Sequence, residues 1–241
     1  MGGIETAWRE SGEGEPLVLL HGVPTSSLLF RDAMPLLPGR VLAPDLPGYG
    51  ESANPEQVDL DATLDWAEAW LDHLGLGVVD AAGQDFGGLV AAGLAHRGRV
   101  RRLALTSTAL SWGWTTSVVA ALPPLDRIFY RLFAGRAYLA RAERGPVLTA
   151  LHVGRIASDP DFAARMRRTA LALRGIAPPR VPTICVWGSH DPLFPPWMGR
   201  RTAASIGAEW VLIEDGRHTL PFDRPRSWAG VISEFLQRGA D

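Results

Sequence analysis

Residues 81–97 read AAGQDFGGLVAAGLAHR, and the order of residue types within them decides how the rest of the chain is arranged. Ahead of Gln84 runs an apolar segment through Val78, Val79, Ala81 and Ala82, of the kind that fills a buried strand. Beyond Gly88, Leu89 to His96 is rich in Ala and Leu and reads as a helix. Asp85 therefore falls at a strand-to-helix corner, between Gly83 on one side and Gly87-Gly88 on the other. A carboxylate at such a corner either caps the helix that follows, as Asp commonly does, or is held up for chemistry.

Working outward, strand-like runs recur at Ile4–Arg9, Leu17–Leu20, Val41–Pro44, Val78–Gln84, Leu103–Thr108, Thr183–Trp187 and Glu209–Ile213. Helical patterns lie between or after them at Ser27–Leu37, Leu60–Leu74, Leu89–His96, Trp197–Ile206 and Arg226–Arg238. Alternation of this kind predicts an α/β fold, a mostly parallel sheet flanked by helices. One interval breaks it. From Ser111 to Pro179 there is no good strand, only helical patches interrupted by Pro123-Pro124, Pro146 and Pro160. The expected organisation is a core of residues 1–110 and 180–241 with a small helical cap at 111–179, emerging at the sheet rim where open α/β sheets bind ligands.

Length and charge bound the function. A chain of 241 residues suits one large domain, and a net charge of −2 offers no basic stripe for nucleic acid or an anionic membrane. The uncharged run from Leu103 to Leu125 is broken by Gly113 and two prolines, which argues against a membrane span. Every basic residue besides the histidines is arginine, so Schiff-base chemistry and a P-loop lysine are excluded. The single cysteine, Cys185, lies in the apolar run Thr183-Ile184-Cys185-Val186-Trp187 and is expected to be a packed core thiol. Histidines are scattered without metal-ligand spacing, so neither metal nor cofactor is expected. A small, mostly apolar molecule is the expected partner, with water as co-substrate. Met1-Gly2-Gly3 formally opens a myristoylation pattern, which is too short to weigh, and nothing resembles a signal peptide, so the expected location is the cytoplasm.

Four loops that follow strand-like runs carry reactive or backbone-donor groups: His21-Gly22-Val23-Pro24, Asp85-Phe86-Gly87-Gly88, Gly188-Ser189-His190-Asp191 and Gly216-Arg217-His218. Five stretches, LVLLHGVPTSS (17–27), VLAPDLPGYGES (41–52), GQDFGG (83–88), VWGSHDPLFP (186–195) and DGRHTLPFDRP (215–225), together resemble the α/β-hydrolases in order and spacing. The resemblance covers all but the insertion, and the first strand of that family looks trimmed. It implies an α/β-hydrolase fold with Asp85 at the nucleophile position, Asp191 as the acid and His218 as the base. The backbone N–H groups of Val23 and Phe86 would form the oxyanion hole, and His21 with Gly22 would shape that loop, His21 also lining the substrate pocket.

Asp in place of the commoner Ser points to a different electrophile. A carboxylate, with a reference pKa of about 3.9, is ionised at neutral pH and needs no base before attacking an sp³ carbon. Attack would leave an alkyl ester on Asp85, which water activated by His218 would hydrolyse. Within the family such nucleophiles resemble epoxide hydrolases and haloalkane dehalogenases. The latter typically carry a Trp after the nucleophile and an Asn in the oxyanion loop, where this chain has Phe86 and Val23. Tyr130 and Tyr138 fall in the insertion, where an epoxide hydrolase places its proton donors. The sequence thus favours an epoxide hydrolase. Trp112 and Trp114, as pocket walls or indole donors, keep a haloalkane dehalogenase as the alternative. A hydrolase-fold protein that only binds its ligand, or performs a cyclase-like step, is the third possibility.

Overall fold

The computed structural model describes residues 4–23, 25–55, 59–108, 110 and 179–238. Seven strands form one sheet: β1 (Trp8–Ser11), β2 (Pro16–Leu20), β3 (Arg40–Pro44), β4 (Val79–Gln84), β5 (Val100–Thr106), β6 (Thr183–Gly188) and β7 (Glu209–Ile213). Their order across the sheet is β1-β3-β2-β4-β5-β6-β7; β1 runs antiparallel to β3, and every other neighbouring pair is parallel. Parallel neighbours need long crossovers, which is why the sequence alternates strand and helix. The described helices are α1 (Leu60–His73), α2 (Phe86–His96), α3 (Pro196–Ile206), the one-turn α4 (Leu220–Asp223) and α5 (Pro225–Gln237).

Alternate strand residues feed two cores. Val18, Leu20, Ala81, Leu103, Leu105 and Cys185 face α1 and α2, whereas Leu17, Leu19, Ala82, Ala104, Ile184 and Val186 face α4 and α5. A sheet covered on both faces explains the near-continuous apolar strands, and β4, at its centre, is buried at all six positions. Near the strand start Asp80 takes paired bonds from Arg101 and Arg102. Burial works to raise its pKa, but the bonds from Arg102 and Arg101 outweigh it and hold the carboxyl below its usual range.

The expected helix at Ser27–Leu37 is instead two short 3₁₀ turns, Ser27–Phe30 and Met34–Leu36. Ser26 caps the first through a bond from Leu28 N, and Pro35 lies in the second, so the apolar spacing there fills the core without building a regular helix. The first strand also shifts, from the expected Ile4–Arg9 to Trp8–Ser11, with register Trp8 to Pro44 fixed by the edge of β3. The expected cap lies outside the described residues but for Pro179, and Trp112, Trp114, Tyr130 and Tyr138 lie outside them with it.

Candidate active site

The corner after β4 is a strained turn. Asp85 has φ +51° and ψ −119°, in a region that non-glycine residues rarely enter, and holding a residue there costs on the order of 1–3 kcal/mol. Its backbone N–H donates to Thr106 O at 3.0 Å, and Thr108 Oγ1 donates to Asp85 O at 3.2 Å. The turn is also crowded from behind: a Cβ on Gly87 would lie 2.0 Å from the carbonyl oxygen of Leu20. Glycine at that position lets α2 start hard against β2 and sends the Asp85 side chain off the end of the strand.

Three loops from separate strands meet there. His218, two residues past Gly216 and 2 % exposed, places Nε2 3.1 Å from Asp85 Oδ2. Its Nδ1 donates to Asp191, at 2.9 Å from Oδ2 and 3.1 Å from Oδ1. Asp191 Oδ1 also accepts from the backbone N–H groups of Leu193 and Phe194, both at 2.9 Å, so the acid is held by its own loop before it orients the imidazole. The Phe194 ring meets His218 edge-on, 5.2 Å between centroids. Trp187 Nε1 donates to Phe194 O at 2.7 Å and fixes that ring's backbone to β6.

The electrostatics follow from this packing. Burial by itself would lower the pKa of His218, but the charge and hydrogen bond of Asp191, and then those of Asp85, outweigh burial and push it up to about 10. With Asp191 on one ring nitrogen and Asp85 on the other, the site favours the protonated imidazole. Cys185, by contrast, is pushed up to about 12 by burial, in keeping with a packed thiol.

The remaining site residues fall as follows. Phe86 N donates to Asp85 Oδ1, placing one amide of the expected oxyanion pair on the carboxylate itself. Val23, the other, follows Gly22, and a Cβ on Gly22 would lie 2.5 Å from Asp85 Cβ. His21 does not offer its polar edge to a pocket: it is fully buried, Nδ1 donates to Gly22 O at 2.9 Å, and Nε2 accepts from Leu46 N at 2.9 Å. Its ring also meets Tyr49 edge-on, so this histidine clamps the loop to the segment leaving β3. His190 is exposed, with Nδ1 3.2 Å from Ser189 Oγ. Sequence reasoning missed Gln84, Thr108, Phe194 and Trp187, which hold the loops. Among the described residues no group of three or more His, Cys, Asp or Glu could hold a metal ion, and no helix is long and apolar enough to cross a membrane.

A family model described as the alpha/beta hydrolase family matches residues 17–231. Haloalkane dehalogenase 2 of Mycobacterium tuberculosis is 30% identical over 260 residues, covering 93% of this chain and 89% of that protein. A haloalkane dehalogenase of Mycolicibacterium paratuberculosis is 36% identical over 154 residues, covering 61% of this chain and 46% of that protein. Among solved structures, a thermophilic esterase from Thermogutta terrifontis superposes with a TM-score of 0.75 at 25% identity, covering 98% of this chain and 94% of the esterase. A bromoperoxidase from Bacillus anthracis reaches 0.78 at 20% identity, covering 97% and 96%, a likeness of fold alone.

Proposed function

The chain belongs to the alpha/beta hydrolase family, and on that footing we propose that it is a hydrolase in which Asp85 attacks an sp³ carbon, with a haloalkane as first choice of substrate. The observation that carries this is the division of the Asp85 carboxylate: Oδ1 accepts from Phe86 N, and Oδ2 faces His218 Nε2 at 3.1 Å. Oδ2 is the attacking oxygen. It forms the new C–O bond as the C–halogen bond breaks and halide leaves with the electron pair, which puts an alkyl ester on Asp85. Oδ1, now the ester carbonyl oxygen, is already at the amide that stabilises an oxyanion.

Esterification removes the Asp85 charge that helps keep His218 protonated, so the imidazole can release that proton and then accept one from water. The hydroxide adds to Cγ, negative charge collects on Oδ1, and collapse expels the alkoxide, which takes the proton from His218, while the hydroxyl proton left on the Asp85 carboxyl passes to the imidazole and restores the starting pair. Asp191 holds the Nδ1–H side throughout. Alcohol and halide are the products.

The dehalogenase relatives, at 30% identity over most of the chain, move the first choice of substrate from epoxide to haloalkane. An epoxide remains the second reading because Phe86 has no indole N–H to offer a departing halide, whereas an epoxide alkoxide stays attached and needs only a proton, for which Tyr130 and Tyr138 are the candidates. The test is a His218→Gln variant mixed with 1-bromobutane and, separately, with styrene oxide. Asp85 still alkylates but water lacks its base, so intact mass is expected to rise by the butyl group less a proton, or by the whole epoxide, on a peptide containing Asp85. An adduct on another side chain, or no adduct while the variant turns over normally, would overturn the assignment.

A further inference from the structure

Gln84 is the last residue of β4, adjoins Asp85 and is 1 % exposed. Its Nε2 donates to the backbone oxygen of His218 at 3.2 Å, joining residues 134 apart in sequence. The other end of the same amide presses on the first loop: a Cβ on Gly22 would lie 2.3 Å from Gln84 Oε1. One buried side chain therefore touches the loop after β2, adjoins the nucleophile after β4 and bonds the segment after β7. The last of these reaches back across the positions of β6 and β5 to arrive over β4.

The imidazole has two kinds of support. Asp191 and Asp85 bond the ring, whereas Gln84 bonds the main chain that carries it. The two differ in what happens during the proposed reaction. When Asp85 becomes an ester it loses its charge, and the charge-assisted bond from His218 Nε2 weakens. The bond from Gln84 goes to a backbone carbonyl whose character does not change. We propose that Gln84 is a positioning residue for the second half-reaction, its amide holding the His218 main chain at the height from which Nε2 can activate water over the Asp85 ester.

This rests on Asp85 acting as the nucleophile, and the two claims separate in one experiment. Gln84→Met keeps length and volume but has no donor, and Gln84→Glu keeps the shape while presenting oxygens to the carbonyl; far-ultraviolet circular dichroism checks that each is folded. Rapid-quench intact mass with 1-bromobutane and styrene oxide follows formation and decay of the Asp85 adduct in wild type, both variants and His218→Gln. The expected result is an alkylation rate within about threefold of wild type and ester hydrolysis slowed by roughly ten- to a hundred-fold, the scale of a catalytic group displaced by about 1 Å. Ester would accumulate in the steady state, and kcat would fall with KM. A general loosening of the fold would lower both half-reactions alike. If His218→Gln gives an adduct but the folded Gln84 variants partition as wild type does, or slow both steps equally, the role of Gln84 is refuted alone. If His218→Gln gives no adduct with a probe that the wild type turns over, the Asp85 nucleophile falls and this inference with it.

Discussion

His218 is held between two carboxylates, and that arrangement makes the stability of the protein depend on pH in a definite direction. A histidine whose pKa is raised from 6.5 to about 10 binds a proton more tightly folded than unfolded, so its contribution is complete below pH 6.5 and is lost as pH rises towards 10. Urea denaturation of the wild type is therefore expected to show a decline across that window, with a limiting slope of about 1.4 kcal/mol per pH unit from this one group. His218→Gln should remove that part of the decline. Parallel curves for the two proteins would mean that the imidazole is neutral in the native state. At this scale the sequence is informative about the three polar side chains that meet at the corner and uninformative about the residues that hold their loops. Asp85, Asp191 and His218 each lie within three residues of a glycine near the end of a strand, a pattern that spacing can reveal. Gln84 and Phe194 act through a carbonyl contact and a ring edge, which depend on segments far apart in the chain and leave no local signal. Ser107 is similar: its φ of +46° could not be anticipated from Thr106-Ser107-Thr108.

Elements follow the same division. Strands with both faces buried show as unbroken apolar runs, and β2 to β7 come close to where the sequence puts them. Ends and short elements fare worse, because a one-turn helix such as α4 has too few residues to display a period, and the 3₁₀ pair around Pro35 borrows the spacing of a regular helix. The junction of β4 and α2 was legible because its glycines are demanded by contact. Gly87→Ala would drive a methyl into the Leu20 carbonyl, which being backbone cannot swing aside. Overpacking of this kind costs about 1–3 kcal/mol. The displaced turn should also lower kcat by roughly 10²-fold, as a misplacement of about 1 Å does. Denaturation midpoints and turnover measured on the same preparation check both; an alanine variant with wild-type values of each would show that the corner has room to spare.

At the scale of the whole molecule, the loops that carry Asp85, Asp191 and His218 follow three different strands and come together at one rim of the sheet. The sequence concentrates its signal in the same place, with all five ordered motifs in the expected core and only aromatic residues singled out in the insertion. The buried position of Cys185 has a practical corollary for an enzyme whose expected substrates are themselves alkylating agents. It is the chain's one thiol, it is inaccessible in the middle of β6, and with its pKa pushed up to about 12 it is almost wholly un-ionised at neutral pH. With no lysine amines in the chain either, alkyl groups delivered to native protein should collect on a carboxylate rather than on this thiol. Iodoacetamide should then label Cys185 at a rate that tracks opening of the core, negligible in buffer and rising through the urea transition. Rapid labelling without denaturant would contradict the packing around β6. Otherwise the sulfur is a built-in stopwatch for unfolding, readable by mass in the same samples that report on turnover.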